Sequence, residues 1–354
     1  MSGSQTTETH AQAHAQSLHR LWLADLALLA VAIIWGVNIP VMKVALEIGI
    51  TPYALNAVRL VISALVLLVC ASWEFRAGIR PVVGLSRWRV ITYAMIVSVA
   101  YQFLFLMAVS RTTSANVALI MATVPMWTAL GARCFLKEIL PPLAWLGLII
   151  AFAGTMVVTV QRELPILAVS AASPLEPVPP DLPVPPDLAV ADDRIAGSAS
   201  TPASQEFPIK FSGNIIALLA ALTWAGGTIF SRPLLRSISP VQLAACSATI
   251  GLPFHMIIAG PTLAASLPLL TQVPLQLCIL YSGILSTGLA LAMWSYGVKH
   301  AGAAQATMFQ NLSPIVAIVA AWLWRGEGIS NAQVVGGVMI IGGLIIMRHS
   351  RRMA

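Results

Sequence analysis

Apolar residues fall in ten runs along this chain, at 24–46, 52–73, 88–110, 113–136, 141–160, 213–234, 240–262, 275–297, 302–324 and 331–348. Each is close to the roughly 17–25 residues a helix needs to cross a bilayer. Within a run the apolar positions are continuous, without the alternation of barrel strands. A helix satisfies its own backbone polar groups in lipid, so the pattern predicts ten transmembrane α-helices.

Some runs are interrupted near their middle. The first contains IIWGVNIPVMK, with Trp35, Gly36, Asn38 and Pro40 at its centre. Pro40 cannot donate a backbone hydrogen bond and frees the carbonyl near Gly36. A freed carbonyl is tolerated in lipid only where protein or a wet cavity faces it. The WGVNIP stretch is therefore expected to face inward, either as a kink whose Asn38 bonds across a helix interface or as part of a cavity wall. Polar or proline positions recur at similar depth: Tyr101 and Gln102, Thr123 and Pro125, Trp224, Ser286 and Thr287, and Asn311, Ser313 and Pro314. Thr307, Asn311 and Pro314 share one helix face, as do Asn116, Thr123 and Trp127.

Residues 161–212 break the pattern. They include the tandem hexapeptide PVPPDLPVPPDL, Pro177–Leu188, among seven acidic residues. Proline at this density favours extended polyproline II, and nothing here builds a core. The segment reads as a tether between two halves. Across it the sequence repeats itself: a shift of 189 residues puts Trp35 on Trp224, Lys43 on Arg232 and Pro125 on Pro314. The same shift puts Glu138 on Glu327, Gly147 on Gly336 and Gly154 on Gly343. The chain thus divides into a polar N-terminal tail (1–22), a five-helix repeat (23–160), a proline-rich acidic linker (161–212), a second five-helix repeat (213–348) and a basic tail (349–354). Five spans is an odd number, so the second repeat enters the membrane from the opposite side. Inverted repeats of this kind are typical of transporters, with substrate sites near the midplane.

Composition agrees and narrows the class. Hydrophobic residues make up 58% of the chain and charged residues 9%, against about 25% charged in soluble domains. The net charge of +7 reflects topology. With the N-terminus inside, thirteen of the twenty basic residues fall on the cytoplasmic side and six on the outer side, which is the positive-inside pattern. Both termini are expected in the cytoplasm, and nucleic acid is not expected as a partner. Residues 1–20 lack the apolar core and cleavage site of a signal peptide. Cys70, Cys134, Cys246 and Cys278 all lie within spans and read as apolar fillers.

The first span, WGVNIPVMKVAL, resembles the W-G…K-x-A-L opening of EamA-like proteins in the drug/metabolite transporter superfamily. Arg59 in the second span fits that pattern, as do a fourth span ending in Pro125…FLKE138 and a ninth ending in Pro314…WRGE327. Two positions depart from it: Lys137 precedes Glu138 where the family has Gly-Glu, and Ala225 stands where a second W-G would have Gly. The resemblance implies a metabolite or drug transporter, commonly an exporter, in a bacterial-type inner membrane.

A membrane enzyme would need a nucleophile and base, paired acids or metal ligands within reach of one another. The spans hold no such constellation, and neither cofactor nor metal is expected. A small-molecule substrate is expected at a midplane site lined by Trp35, Asn38, Tyr101, Asn116, Thr123, Trp224, Ser286, Trp294, Thr307 and Asn311. The four aromatic residues would offer stacking faces. A flippase for a lipid-linked or amphiphilic cargo is the alternative, with a lateral apolar opening. Glu138 is expected to pair with Arg133 or Lys137, Glu327 with Arg325, and Arg59 with Glu47 or with the interface by snorkelling. Lys43 and Arg232 are likewise expected to snorkel, and His255 to be a satisfied core residue. Gly147 and Gly154 on the fifth helix, and Gly336 and Gly343 on the tenth, read as close helix contacts, with a homodimer through these helices as a further expectation.

Overall fold

The computed structural model describes residues 2–82, 84–111, 117, 120–160, 203–326 and 328–352. The proline-rich stretch 161–202, Asn116 and Glu327 therefore lie outside the described residues. The first repeat consists of α1 (Ser2–Glu47), α2 (Pro52–Arg76), α3 (Arg87–Ala94), a π-helical stretch Met95–Ala100, α4 (Tyr101–Arg111), α5 (Val124–Leu136) and α6 (Pro142–Val160). The second consists of α7 (Ala203–Leu234), α8 (Pro240–Ser266), α9 (Val273–Leu280), a π-helical stretch Tyr281–Leu289, α10 (Ala290–Ala301), α11 (Ala303–Gln310), α12 (Ser313–Arg325) and α13 (Asn331–Arg352). Eight helices among the described residues are long and apolar enough to cross a membrane, and Pro142–Val157 is a shorter apolar helix. The fourth of the ten sequence runs is described in part, as α5.

Local chemistry repeats with the sequence. Thr51 caps α2 by accepting from Ala54 N, with Pro52 at the first helical position. Ser239 caps α8 by accepting from Gln242 N, with Pro240 in the same role. A side-chain acceptor at the N-cap satisfies an orphan N–H, and proline at N1 has none to leave unpaired. The fourth span of each repeat is broken at the same point: α5 begins at Val124 and α12 at Ser313, 189 residues apart, with Pro125 and Pro314 in their first turns. The helices end alike too, at Lys137 (φ 56°) and Gly326 (φ 67°). The left-handed region favours glycine, so the first repeat holds a lysine in a conformation that suits its counterpart better.

The packing is related by the same exchange. The helix α2 packs on its counterpart α8, and α6 on α13; α1 packs on α10 and α12, while α7 packs on α4 and α5. The α6–α13 crossing is close. A Cβ on Gly147 would lie 2.5 Å from Gly343 O, and one on Gly154 would lie 2.6 Å from Gly336 O. Exchange of the repeats turns the first contact into the second, and the order of contacts shows that the helices run antiparallel. A two-fold axis lying across the helices has this effect. The four glycines are thus used within the chain, and any contact between copies through these helices falls to their outer faces. Large exposed apolar side chains, among them Leu65, Ile257, Leu323 and Val338, form the outward surface expected to meet lipid.

Candidate functional site

Trp35 and Trp224 are equivalent residues of the two repeats, and they touch. Their ring centroids are 5.8 Å apart in an edge-to-face arrangement, which places the pseudo-two-fold axis between them. Trp294 packs on both, at 5.3 Å from Trp35 and 5.7 Å from Trp224. Tyr101 stacks on Trp224 at 4.7 Å and on Phe105 at 5.9 Å. All four aromatic residues expected at the site therefore meet in one cluster drawn from four spans. Trp224 and Trp294 are buried, whereas Trp35 and Tyr101 are half-buried and form its accessible edge.

The WGVNIP stretch faces inward, against the π-helical stretch of the second repeat. Trp35 Nε1 donates to Ser286 O at 2.9 Å, Ser282 Oγ donates to Asn38 Oδ1 at 2.5 Å, and Tyr281 OH donates to Ile34 O at 3.1 Å. Gly36 brings α1 close to α12, since a Cβ there would sit 2.6 Å from Val316 Cβ and 2.7 Å from Ser313 O. Of the two readings of Asn38, the bond across a helix interface is the one formed here.

The remaining candidates lie as follows. Ser286 contributes its carbonyl to Trp35. Thr123 donates to Ile120 O at 2.6 Å and accepts from Trp127 Nε1 at 2.9 Å. Thr307 bonds back to Ala303 O and Ala304 O of its own helix, which leaves its hydroxyl no free proton for the interior. Asn311, at the break between α11 and α12, is buried with no hydrogen-bond partner for Nδ2 among the described residues.

Two features escaped the sequence. The π-helical stretches occupy equivalent places in the third span of each repeat, and π turns recur at functional sites. A carbonyl in each is taken by a ring N–H of the other repeat: Ser286 O by Trp35, and Ser98 O by His255 Nε2 at 2.6 Å. The second is a polar chain. A carbonyl only accepts, so His255 Nε2 carries the proton and Nδ1 accepts from Asn56 Nδ2 at 3.1 Å. Asn56 Oδ1 in turn accepts from Arg59 Nε at 2.9 Å. His255 is thus satisfied on both nitrogens. The signal for the chain was the spacing of Asn56 and Arg59, which places them on one helix face. Arg59 takes Asn56 and Met42 Sδ (3.2 Å) as partners, correcting the expected pairing with Glu47.

The charged residues near the helix ends correct the sequence reading as well. Glu138 pairs across the repeats with Arg232, Nε to Oε1 at 3.5 Å, and not with Arg133 or Lys137 beside it. Arg232 does not snorkel; it also donates to Val298 O at 2.7 Å and to Lys299 O. At the same end Arg348 Nη2 meets Asp25 Oδ2 at 3.0 Å, Gln305 Nε2 donates to Asp25 Oδ1 at 2.8 Å, and Ser239 Oγ donates to Glu74 Oε2. The ties of Glu138 to Arg232, of Asp25 to Arg348 and Gln305, and of Ser239 to Glu74 each join one repeat to the other. Also at this end, Val82, Gly84, Leu85, Ser86, Arg89 and Ser237 line a surface cleft of ≈ 480 Å³, away from the aromatic cluster.

Two repeats packed about a two-fold axis, apolar outside, with an aromatic and polar centre where both meet, define a polytopic membrane transporter. The chain belongs to the EamA-like transporter family, whose model matches residues 22–160 and 211–348. It is 23% identical over 313 residues to "Uncharacterized transporter YdfC" of Bacillus subtilis, covering 88% of this chain and 86% of that protein. It is 23% identical over 327 residues to "Probable terminal-alkyne amino-acid exporter" of Streptantibioticus cattleyicolor, covering 91% and 92%. The fold is also that of a solved crystal structure described only as a protein, with a TM-score of 0.62 at 17% identity over 93% of this chain and 98% of that one.

Proposed function

We propose that the chain is a secondary transporter that exports a small metabolite or drug from the cytoplasm by alternating access. Its setting is a cell inner membrane, with ten spans and both termini inside. The observation that carries this reading is the contact of Trp35 with Trp224 on the axis between the repeats. Rocking of one repeat against the other separates these rings and their neighbours Trp294 and Tyr101, opening stacking faces to one side of the membrane at a time. Asn38 and Ser282, bonded to each other here, are then freed as polar contacts for a substrate, as is Asn311. The ties of Glu138 to Arg232 and of Asp25 to Arg348 and Gln305 hold the face rich in basic residues closed. Export is supported by the Streptantibioticus relative, which is named as a probable amino-acid exporter.

The test is a ligand panel of amino acids, sugars, nucleosides, polyamines and cationic dyes, read as a shift in thermal unfolding of the purified protein. A ligand at about 100 times its dissociation constant adds roughly 2.7 kcal/mol to the folded state. A selective shift lost in Trp35→Ala, with matching flux in proteoliposomes, supports the central site. A folded protein that responds to no soluble ligand redirects the reading to a flippase of amphiphilic cargo.

A further inference from the structure

Arg59 stands within the membrane-spanning helix α2, and its surroundings are unusual for a cation. Its Nε donates to an amide oxygen, Asn56 Oδ1, and its Nη1 to a thioether, Met42 Sδ. Neither acceptor is charged, and a thioether is a weak one. No carboxylate pairs with it among the described residues. A guanidinium has five N–H donors, so among the described residues Nη2 and one Nη1 hydrogen have no acceptor. A charge held at membrane depth without a counter-charge is costly and marks a substrate or ion path.

Two further observations say what that path carries. The guanidinium is braced: Asn56 is fixed by His255, and His255 by Ser98 O in the π-helical stretch that leads into Tyr101. It also keeps part of its surface exposed. Arg59 is half-buried, and so are Met42, Trp35 and Tyr101. Tyr101 is close enough to Arg59 for the two to interact electrostatically, and its ring stacks on Trp224, which meets Trp35. A partly exposed cation thus lies near the partly exposed edge of the aromatic cluster.

We propose that Arg59 is the anion-binding subsite of the transport site, and that the substrate is a small organic carboxylate with an apolar or aromatic tail. The carboxylate takes the guanidinium's open N–H fork in a bidentate pair, and the tail lies against Tyr101 and Trp35. One carboxylate neutralises one guanidinium, so the loaded site crosses the apolar interior without net charge. The inference rests on the transporter reading above and narrows its substrate class.

The experiment compares phenylacetate, phenylacetamide and phenethylamine, which share a tail and differ in head-group charge. Binding to the purified full chain is read by thermal shift and tryptophan fluorescence, and flux by proteoliposomes loaded with each radiolabelled compound. Phenylacetate is expected to bind roughly tenfold or more tightly than the amide, since a hydrogen bond to a charged group contributes about that factor. Arg59→Gln removes the preference by weakening the carboxylate alone, and Arg59→Lys keeps part of it. A merely structural arginine would lower stability without changing the head-group ratio. If Arg59→Gln does not fold, the wild-type ratio and Arg59→Lys decide. Equal binding of all three, or no binding of phenylacetate by folded protein, overturns the assignment. Flux of the amine or amide that is indifferent to Arg59→Gln leaves the transporter reading standing and removes the anion subsite. A carboxylate preference in binding with no flux of any compound does the reverse.

Discussion

Removing either partner of the Glu138–Arg232 pair should have unequal consequences. Glu138 Oε1 lies 3.5 Å from Arg232 Nε, and neither carboxylate oxygen has a hydrogen bond among the described residues. Gly302, at φ +97°, leaves the carboxylate its space, since a Cβ there would sit 3.3 Å from each oxygen. Arg232→Gln therefore strands a negative charge that has little else to hold it, and also loses the bonds to Val298 O and Lys299 O. Glu138→Gln leaves Arg232 on those two carbonyls. Stranding a fully buried charge costs about 3–5 kcal/mol, while an exposed pair contributes about 0–1. The side chains are 26% and 16% exposed, which scales the loss for Arg232→Gln to about 2 kcal/mol and that for Glu138→Gln to about 0.5. The double variant should recover part of the difference, with a coupling of about 1 kcal/mol. Thermal and denaturant unfolding in detergent, followed by circular dichroism, measures all four proteins. Equal losses from the two single variants, or a larger loss from Glu138→Gln, would refute the reasoning. In proteoliposomes both variants should also loosen closure at this face, seen as faster labelling of cysteines placed beside the pair.

Gly147→Ala should lower stability by about 1–3 kcal/mol, because the new methyl meets Gly343 O at 2.5 Å and overpacking on backbone cannot relax cheaply; Gly342→Ala, where nothing lies within 4 Å, is the control that should cost nothing in the same melt. Lys137→Gly should raise stability by about 0.5–1 kcal/mol by relieving the left-handed backbone at φ 56°, and Gly326→Lys should lower it by a similar amount. Asn38→Ala removes the bond from Ser282 and should cost only about 1 kcal/mol in unfolding, yet it should reduce flux in proteoliposomes several-fold; unchanged flux in folded protein removes Asn38 from the transport cycle.

The one-dimensional pattern already contained the architecture. Lipid requires long apolar helices, so the spans were visible as runs, and duplication left an offset of 189 residues in Trp35, Pro125, Glu138 and Gly147. The inward face of WGVNIP followed from Pro40, because a carbonyl freed in lipid must find protein. The aromatic character of the centre was legible too, since Trp35, Tyr101 and Trp224 stood at similar depth and Trp294 offered a further stacking face. Partnership was not legible. Depth along a helix says nothing about which neighbouring helix a side chain meets, so Glu138 read as paired with Arg133 or Lys137 when folding hands it Arg232. The π-helical turns were hidden because residue type marks helix but not whether its bonds close at four residues or five. Thr307 had the right face and depth, yet its hydroxyl turns to the carbonyls of its own helix, a local choice any threonine can make. Covalent spacing and the solvent preference of each residue set what must span and what must face inward. Which inward groups satisfy one another, and which, like Arg59 and Asn311, keep donors unmatched among the described residues, is decided only when two repeats meet about their axis, because that depends on distances the chain does not have until it is packed.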